Sequence, residues 1–162
     1  MVEPTIIANY GEENLGKTES IKMLYEKLSK IDESEEPFYY KPEEHNGDLC
    51  GRVMINGIAV GVSSPGDPNS YQERWLKELI EDQKCRIIVA ACRKSDGKER
   101  TSRTILDYAT KHGYRIFWTS NARIYEYIDK RTPRKAPKGI LNRFNEQWAE
   151  EMARMIEGWC YA

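Results

Sequence analysis

The chain has 162 residues, 40% of them hydrophobic and 31% charged, with a formal net charge of −1. That length suits one compact α/β domain with its own core, residues 1–162 taken as a single unit. The near-neutral balance offers no global field for nucleic acid or an anionic membrane, and no apolar run reaches membrane-spanning length.

Cys50, Cys85, Cys92 and Cys160 make no C-x-x-C pair, and His45 and His112 are not at metal-ligand spacing. Four reduced thiols are expected, with Cys85 and Cys92 in the core because they flank an apolar run.

Ile6-Ile7-Ala8 opens a short strand, and Gly11 to Thr18 then reads G-x-x-x-x-G-K-T. Ile21, Leu24, Tyr25, Leu28 and Ile31 follow on one helical face, so a helix is expected from about Gly16 to Ile31. Strand, loop and helix are the context in which this pattern holds phosphate. Gly11 and Gly16 let the backbone curl with its N–H groups turned inward, and the helix start adds the positive end of its dipole. Lys17 would reach the β- and γ-phosphates, and the Thr18 hydroxyl would coordinate Mg²⁺.

Residues 4–31 resemble the opening unit of the P-loop NTPase superfamily. The resemblance implies a three-layer α/β fold with a mostly parallel central sheet and helices on both faces. It also implies ATP or another nucleoside triphosphate, with Mg²⁺, held by Gly11, Glu12, Glu13, Asn14, Leu15, Gly16, Lys17 and Thr18. With the first strand starting near residue 4 there is little room for a leader, and a cytoplasmic protein is expected.

Residues 32–36 read as an acidic loop, Pro37 to Tyr40 as a short strand, and 41–51 as loop. Asn56-Gly57 between two apolar runs predicts a hairpin pairing 52–55 with 58–63. Its second arm runs into Ser63-Ser64-Pro65-Gly66-Asp67. In the superfamily the comparable strand ends in an Asp that serves the metal, often as Asp-Thr-Pro-Gly. Here Ser63 stands in that place, so Ser63 and Asp67 join Thr18 as candidate metal ligands, with Asp67 also a candidate catalytic group. A turn that caps the next helix through Asp67 or Ser70 is an equal reading.

A helix is expected over about 68–83, with Pro68 in its first turn and a Ser70–Glu73 capping box. Arg86 to Cys92 reads as a central parallel strand, delivering Arg93 at its carboxyl end. A further helix carries Arg100, Thr101 and Arg103, with Ile105, Leu106, Tyr108 and Ala109 on its apolar face and Gly113 at its C-cap. Small nucleotide and nucleoside kinases place arginines over this edge, and the pattern Arg93, Arg100, Arg103 is similar in kind, with Arg93 the foremost. Arg93 is a candidate for stabilising charge on a transferred phosphoryl group, against the plain reading of a solvated basic loop, which is favoured for Arg100 and Arg103.

Tyr114 to Thr119 reads as the last strand, and Asn121 beyond it is either a base-binding residue or a turn. The GTPase base-reading motif Asn/Thr-Lys-x-Asp is absent. Residues 122–129 read as a short helix, and Lys130 to Lys138 as an exposed basic loop. A last helix over about 139–157, striped by Leu141, Phe144, Trp148, Met152 and Met155, either covers the sheet or forms a homo-oligomer contact.

The expectation is an ATP- and Mg²⁺-dependent phosphotransferase or NTPase. Its acceptor would be an unidentified small molecule or protein, with Phe38, Tyr39, Tyr40 and His45 near the acceptor and Asp67 or Asp48 as general base. The alternative is a nucleotide-binding switch or regulatory module with little catalysis.

Overall fold

Residues 2–11, 17–67, 71–93, 101–120, 125–127, 133–135 and 138–162 are described by the computed structural model. The strands are β1 Thr5–Gly11, β2 Phe38–Tyr40, β3 Cys50–Ile55, β4 Ile58–Ser63, β5 Ile87–Arg93, β6 Arg115–Thr119, β7 Tyr125–Tyr127 and β8 Pro133–Lys135. The helices are α1 Lys17–Ser29, α2 Gln72–Lys77, α3 Thr101–His112 and α4 Lys138–Tyr161; α2 continues as a π-helical turn, Glu78–Asp82.

Six strands form one mixed sheet in the order β2-β3-β4-β5-β1-β6. β4, β5, β1 and β6 run parallel, and β3 and β2 extend the sheet antiparallel. The expected hairpin is the β3–β4 pair, turned by Asn56 at φ 49° and Gly57 at φ 75°, where both central residues of the turn need positive φ.

Alternation along the strands sends successive side chains to opposite faces. Ile7, Val60, Val62, Ile87 and Val89 meet Ile21, Leu24 and Leu28 of α1 and Trp148 and Ile156 of α4. Ile6, Ala8, Ile88 and Ala90 meet Trp75, Leu76 and Leu79 of α2 and Ile105 and Ala109 of α3. The result is three layers, with α1 and α4 on one face and α2 and α3 on the other. β5 lies between β4 and β1 and is buried from Ile87 to Cys92, as a continuous apolar run requires.

Several expectations change. Residues 125–127 are a strand, not helix: Tyr-Glu-Tyr pairs antiparallel with Pro133–Lys135 inside the basic segment read as loop. Alternating aromatics suit a strand. α2 begins at Gln72, and Tyr71 stands at its N-cap with no side-chain cap bond. Stacking of Tyr71 on Trp75, at 4.6 Å, holds that start instead; Pro68 and Ser70 lie outside the described residues. Leu106 is 42% exposed, so the apolar face of α3 is narrower than expected. β6 sits at the sheet edge, leaving Phe117 and Trp118 partly open.

The four cysteines are buried and free. Among the described residues no helix is long and apolar enough to cross a membrane.

Trp75 is 2% exposed and makes ring contacts with Tyr71, Tyr40 and His45. Trp75→Ala should cost about 3–5 kcal/mol, read as a fall in the urea midpoint. A loss below about 1 kcal/mol would contradict this packing role.

Candidate functional site at the carboxyl edge of the sheet

β1 and β5 are neighbours running in the same direction, and Gly11 lies across from Arg93 and Tyr10 across from Cys92. The chain leaves β1 for α1 on one face and leaves β5 for α3 on the other. Adjacent parallel strands whose connections part to opposite faces open a crevice beyond their carboxyl ends, where open α/β sheets bind ligands. β1 ends at Gly11 and α1 opens at Lys17, so the two ends of the 11–18 sequence lie at that crevice.

Lys17 opens α1 and is only 8% exposed. Its Nζ donates to the Cys92 carbonyl oxygen at 3.0 Å, so the side chain reaches back over the ends of β1 and β5. Ser20, one turn further, donates from its hydroxyl to the Lys17 carbonyl at 2.9 Å and accepts from Asn9 Nδ2 at 3.3 Å. These bonds tie the first turn of α1 to β1. Thr18, half-buried, stands in the same turn.

The other wall is the segment after β4. Gly66 rests on the end of β5: a Cβ there would lie 3.1–3.2 Å from Ala91 and the Cys92 backbone nitrogen. Thr101, the first residue of α3, donates from Oγ1 to the Gly66 carbonyl at 2.8 Å and accepts the Arg93 N–H at 2.8 Å. Arg93 Nε in turn donates to Asp67 Oδ1 at 2.8 Å. Asp67 and Arg93, both inferred from sequence, are therefore brought together as an ion pair beside Gly11 and Lys17. Both side chains are well exposed, at 55% and 33%, so the pair adds little stability.

Ser63 is placed differently from Thr18. It shares its strand face with Ala59 and Gly61, and a Cβ on Gly61 would meet Leu79 and Cys85, so this is the α2 face, opposite α1. Its hydroxyl is buried and has no hydrogen-bond partner among the described residues. Ser64 turns to Leu49 and Asp48. Its amide donates to the Leu49 carbonyl at 2.9 Å, and its Oγ accepts the Leu49 N–H and donates to Asp48 Oδ1, each at 2.9 Å.

Arg103 pairs with Asp107 along the exposed side of α3, at 3.2 Å, instead of joining Arg93. Glu12 to Gly16, Arg100 and Asn121 lie outside the described residues. Phe38, Tyr40 and His45 pack as an aromatic patch with Tyr71 and Trp75, while Tyr39 stacks on Tyr25 of α1 at 4.9 Å. Tyr40 donates to Glu78 at 2.7 Å, and burial followed by that carboxylate pushes its hydroxyl up to about 12. Among the described residues no three His, Cys, Asp or Glu side chains gather as a metal site.

Thr101 and Ser64 escaped the sequence reading as site residues. The only signal was position: Ser64 precedes a Pro-Gly turn, and Thr101 follows a loop carrying Gly97.

No protein-family model matches this chain, and no curated protein sequence does.

Burial pushes the thiols of Cys85 and Cys92 up to about 12, with Lys17 pulling Cys92 slightly the other way. An unfolded chain ionises its thiols near about 8.5. Folding therefore resists ionisation: the stability is complete below that value and falls as pH rises from about 8.5 towards about 12. At pH 8, Ellman's reagent should label no thiol in the native protein and all four in denaturant. One fast-reacting equivalent in the native state would contradict this burial.

Proposed function

We propose that this chain binds a nucleoside triphosphate, ATP in the first instance, in the crevice between β1 and β5 and acts as a small phosphotransferase or NTPase of P-loop type. One observation carries the reading. The G-x-x-x-x-G-K-T sequence begins at Gly11, where adjacent parallel strands send their connections to opposite faces, and its Lys17 is buried across their carboxyl ends.

The parts have separate tasks. The positive end of the α1 dipole favours phosphate. Lys17 would exchange the Cys92 carbonyl for phosphate oxygens, a stronger, charge-assisted contact. Arg93 stands one strand away and would turn from Asp67 toward the transferred group, where a guanidinium stabilises developing charge.

The donor set fits a magnesium ion carried in on the triphosphate, since magnesium takes one or two carboxylates and fills its shell with phosphate and water. Thr18 and Asp67 are the residues that would hold it. Ser63 lies on the opposite face from Thr18 and is left out of this set. When bound, the ion would supply positive charge that offsets the charge on the phosphates.

The Arg93–Asp67 pair also favours a second reading, a nucleotide-operated switch in which the ligand breaks that pair and frees the segment before α2.

Calorimetric titration of ATP with Mg²⁺ should show saturable binding to the wild type. Lys17→Ala should weaken it about 10- to 100-fold, the worth of one charged phosphate contact. An unchanged affinity, or no binding to the wild type, would overturn the reading. Phosphate release measured alongside separates enzyme from switch.

A further inference from the structure

Asp48 stands where the chain turns into β3, just after Asn46 at φ 53° and Gly47 at φ 84°. Its position is set by the bonds that run on from the β3–β4 pair. Leu49 and Ser64 are locked together through two bonds of 2.9 Å, and the Ser64 hydroxyl then donates to Asp48 Oδ1. Ser64 is wholly buried, so this donor has no water to turn to. Asp48 Oδ2 takes no hydrogen bond among the described residues, and the side chain is half-buried. Ser64 also belongs to the segment that carries Asp67, the partner of Arg93 beside Gly11. The carboxylate is thus a fixed group at the edge that holds Lys17, with one oxygen clamped and one open.

We propose that Asp48 is the proton acceptor in phosphoryl transfer and that the phosphoryl acceptor is a neutral or cationic hydroxyl compound, not a nucleoside monophosphate. The inference rests on the nucleotide reading given above. A phosphate acceptor is already a nucleophile at neutral pH, needs no base, and calls for cations around it. Here the groups acting on Asp48 are the Ser64 hydroxyl, the Asp67 carboxylate and the Lys22 ammonium on α1, which pairs with Glu19, while Arg93 and Asp67 are committed to the transferred group and its magnesium. An incoming dianion would meet the Asp48 carboxylate. An alcohol has the opposite need: a base within reach of its proton.

The acceptor O–H gives its proton to Asp48 Oδ2 while its oxygen bonds to the γ-phosphorus. The bond from that phosphorus to the β,γ-bridging oxygen breaks, leaving a nucleoside diphosphate. Burial raises the proton affinity of Asp48 against the pull of the Ser64 hydroxyl. That direction suits a base working near neutral pH.

The test uses the full chain with MgATP and four acceptors: thymidine, glucose, ethanolamine and thymidine monophosphate. Transfer and nucleotide affinity are measured for the wild type, Asp48→Asn and Ser64→Ala. Transfer to at least one of the three hydroxyl compounds is expected. Asp48→Asn should lower kcat about 100-fold or more, with nucleotide Kd held within about twofold, and Ser64→Ala should fall between. Transfer to the monophosphate alone, no transfer to any hydroxyl compound, or wild-type kcat in Asp48→Asn would overturn the proposal. The acceptor panel on the wild type decides independently of whether the variants fold. A wild type that binds no MgATP removes the nucleotide reading itself, whereas one that binds but fails the panel removes only this inference.

Discussion

The parallel pairing of β1 with β5 is the contact on which the rest depends. Both strands are apolar enough to be buried on both faces, so they form the centre of the sheet and cannot shift register without moving a side-chain set to the wrong face. That fixed register puts Gly11 opposite Arg93 and leaves a crevice where α1 and α3 depart to opposite faces. Lys17 bridges the pair through the Cys92 carbonyl, so the lysine and the second strand hold each other in place.

Polar groups at this edge are tied by short bonds to backbone and to buried hydroxyls. Thr101 links the end of β5 to Gly66; Ser64 links the end of β4 to Leu49 and Asp48; Ser20 links α1 to Asn9. Each buried hydroxyl satisfies backbone or side-chain groups that would otherwise lose water without compensation. The side chains available for chemistry, Asp67, Arg93 and Asp48, hang on this frame at its wet side. Their mutual charges set their behaviour more than they set stability, because exposed ion pairs are worth little. Rigid support beneath and exposed charge above is the division of labour that a site built on strand ends permits.

Much of this was legible along the chain. β1, α1, the β3–β4 hairpin, β5 and α3 follow from local signals: a continuous apolar run, a 3.6-residue stripe, Asn-Gly at a turn. Those signals are carried by neighbours in sequence, and the elements appear close to where they were expected. The failures have the opposite character. Residues 125–127 became a strand because their partner, Pro133–Lys135, supplies the hydrogen bonds, and no local pattern names a partner. Ser63 was aligned with a metal ligand by its place after an apolar run, yet strand alternation turns it to the α2 face and leaves Ser64 to make the contacts at the edge.

By itself the sequence determined the types of β1, α1, β3, β4, β5 and α3, the α/β class and the G-x-x-x-x-G-K-T pattern at residues 11–18, since each depends on the order of residues within a short stretch. The tertiary structure alone decided that β5 is the strand beside β1, that Arg93 meets Asp67, that Asp48 is clamped by Ser64, and that Arg103 turns away. Apart from the Arg103–Asp107 pair, these are contacts between residues 16 to 82 positions apart, such as Asp48 with Ser64 or Gly11 with Arg93. They arise from sheet order and from the face each strand presents. Neither is encoded in any one segment, because both follow from burying two sides of one sheet at once.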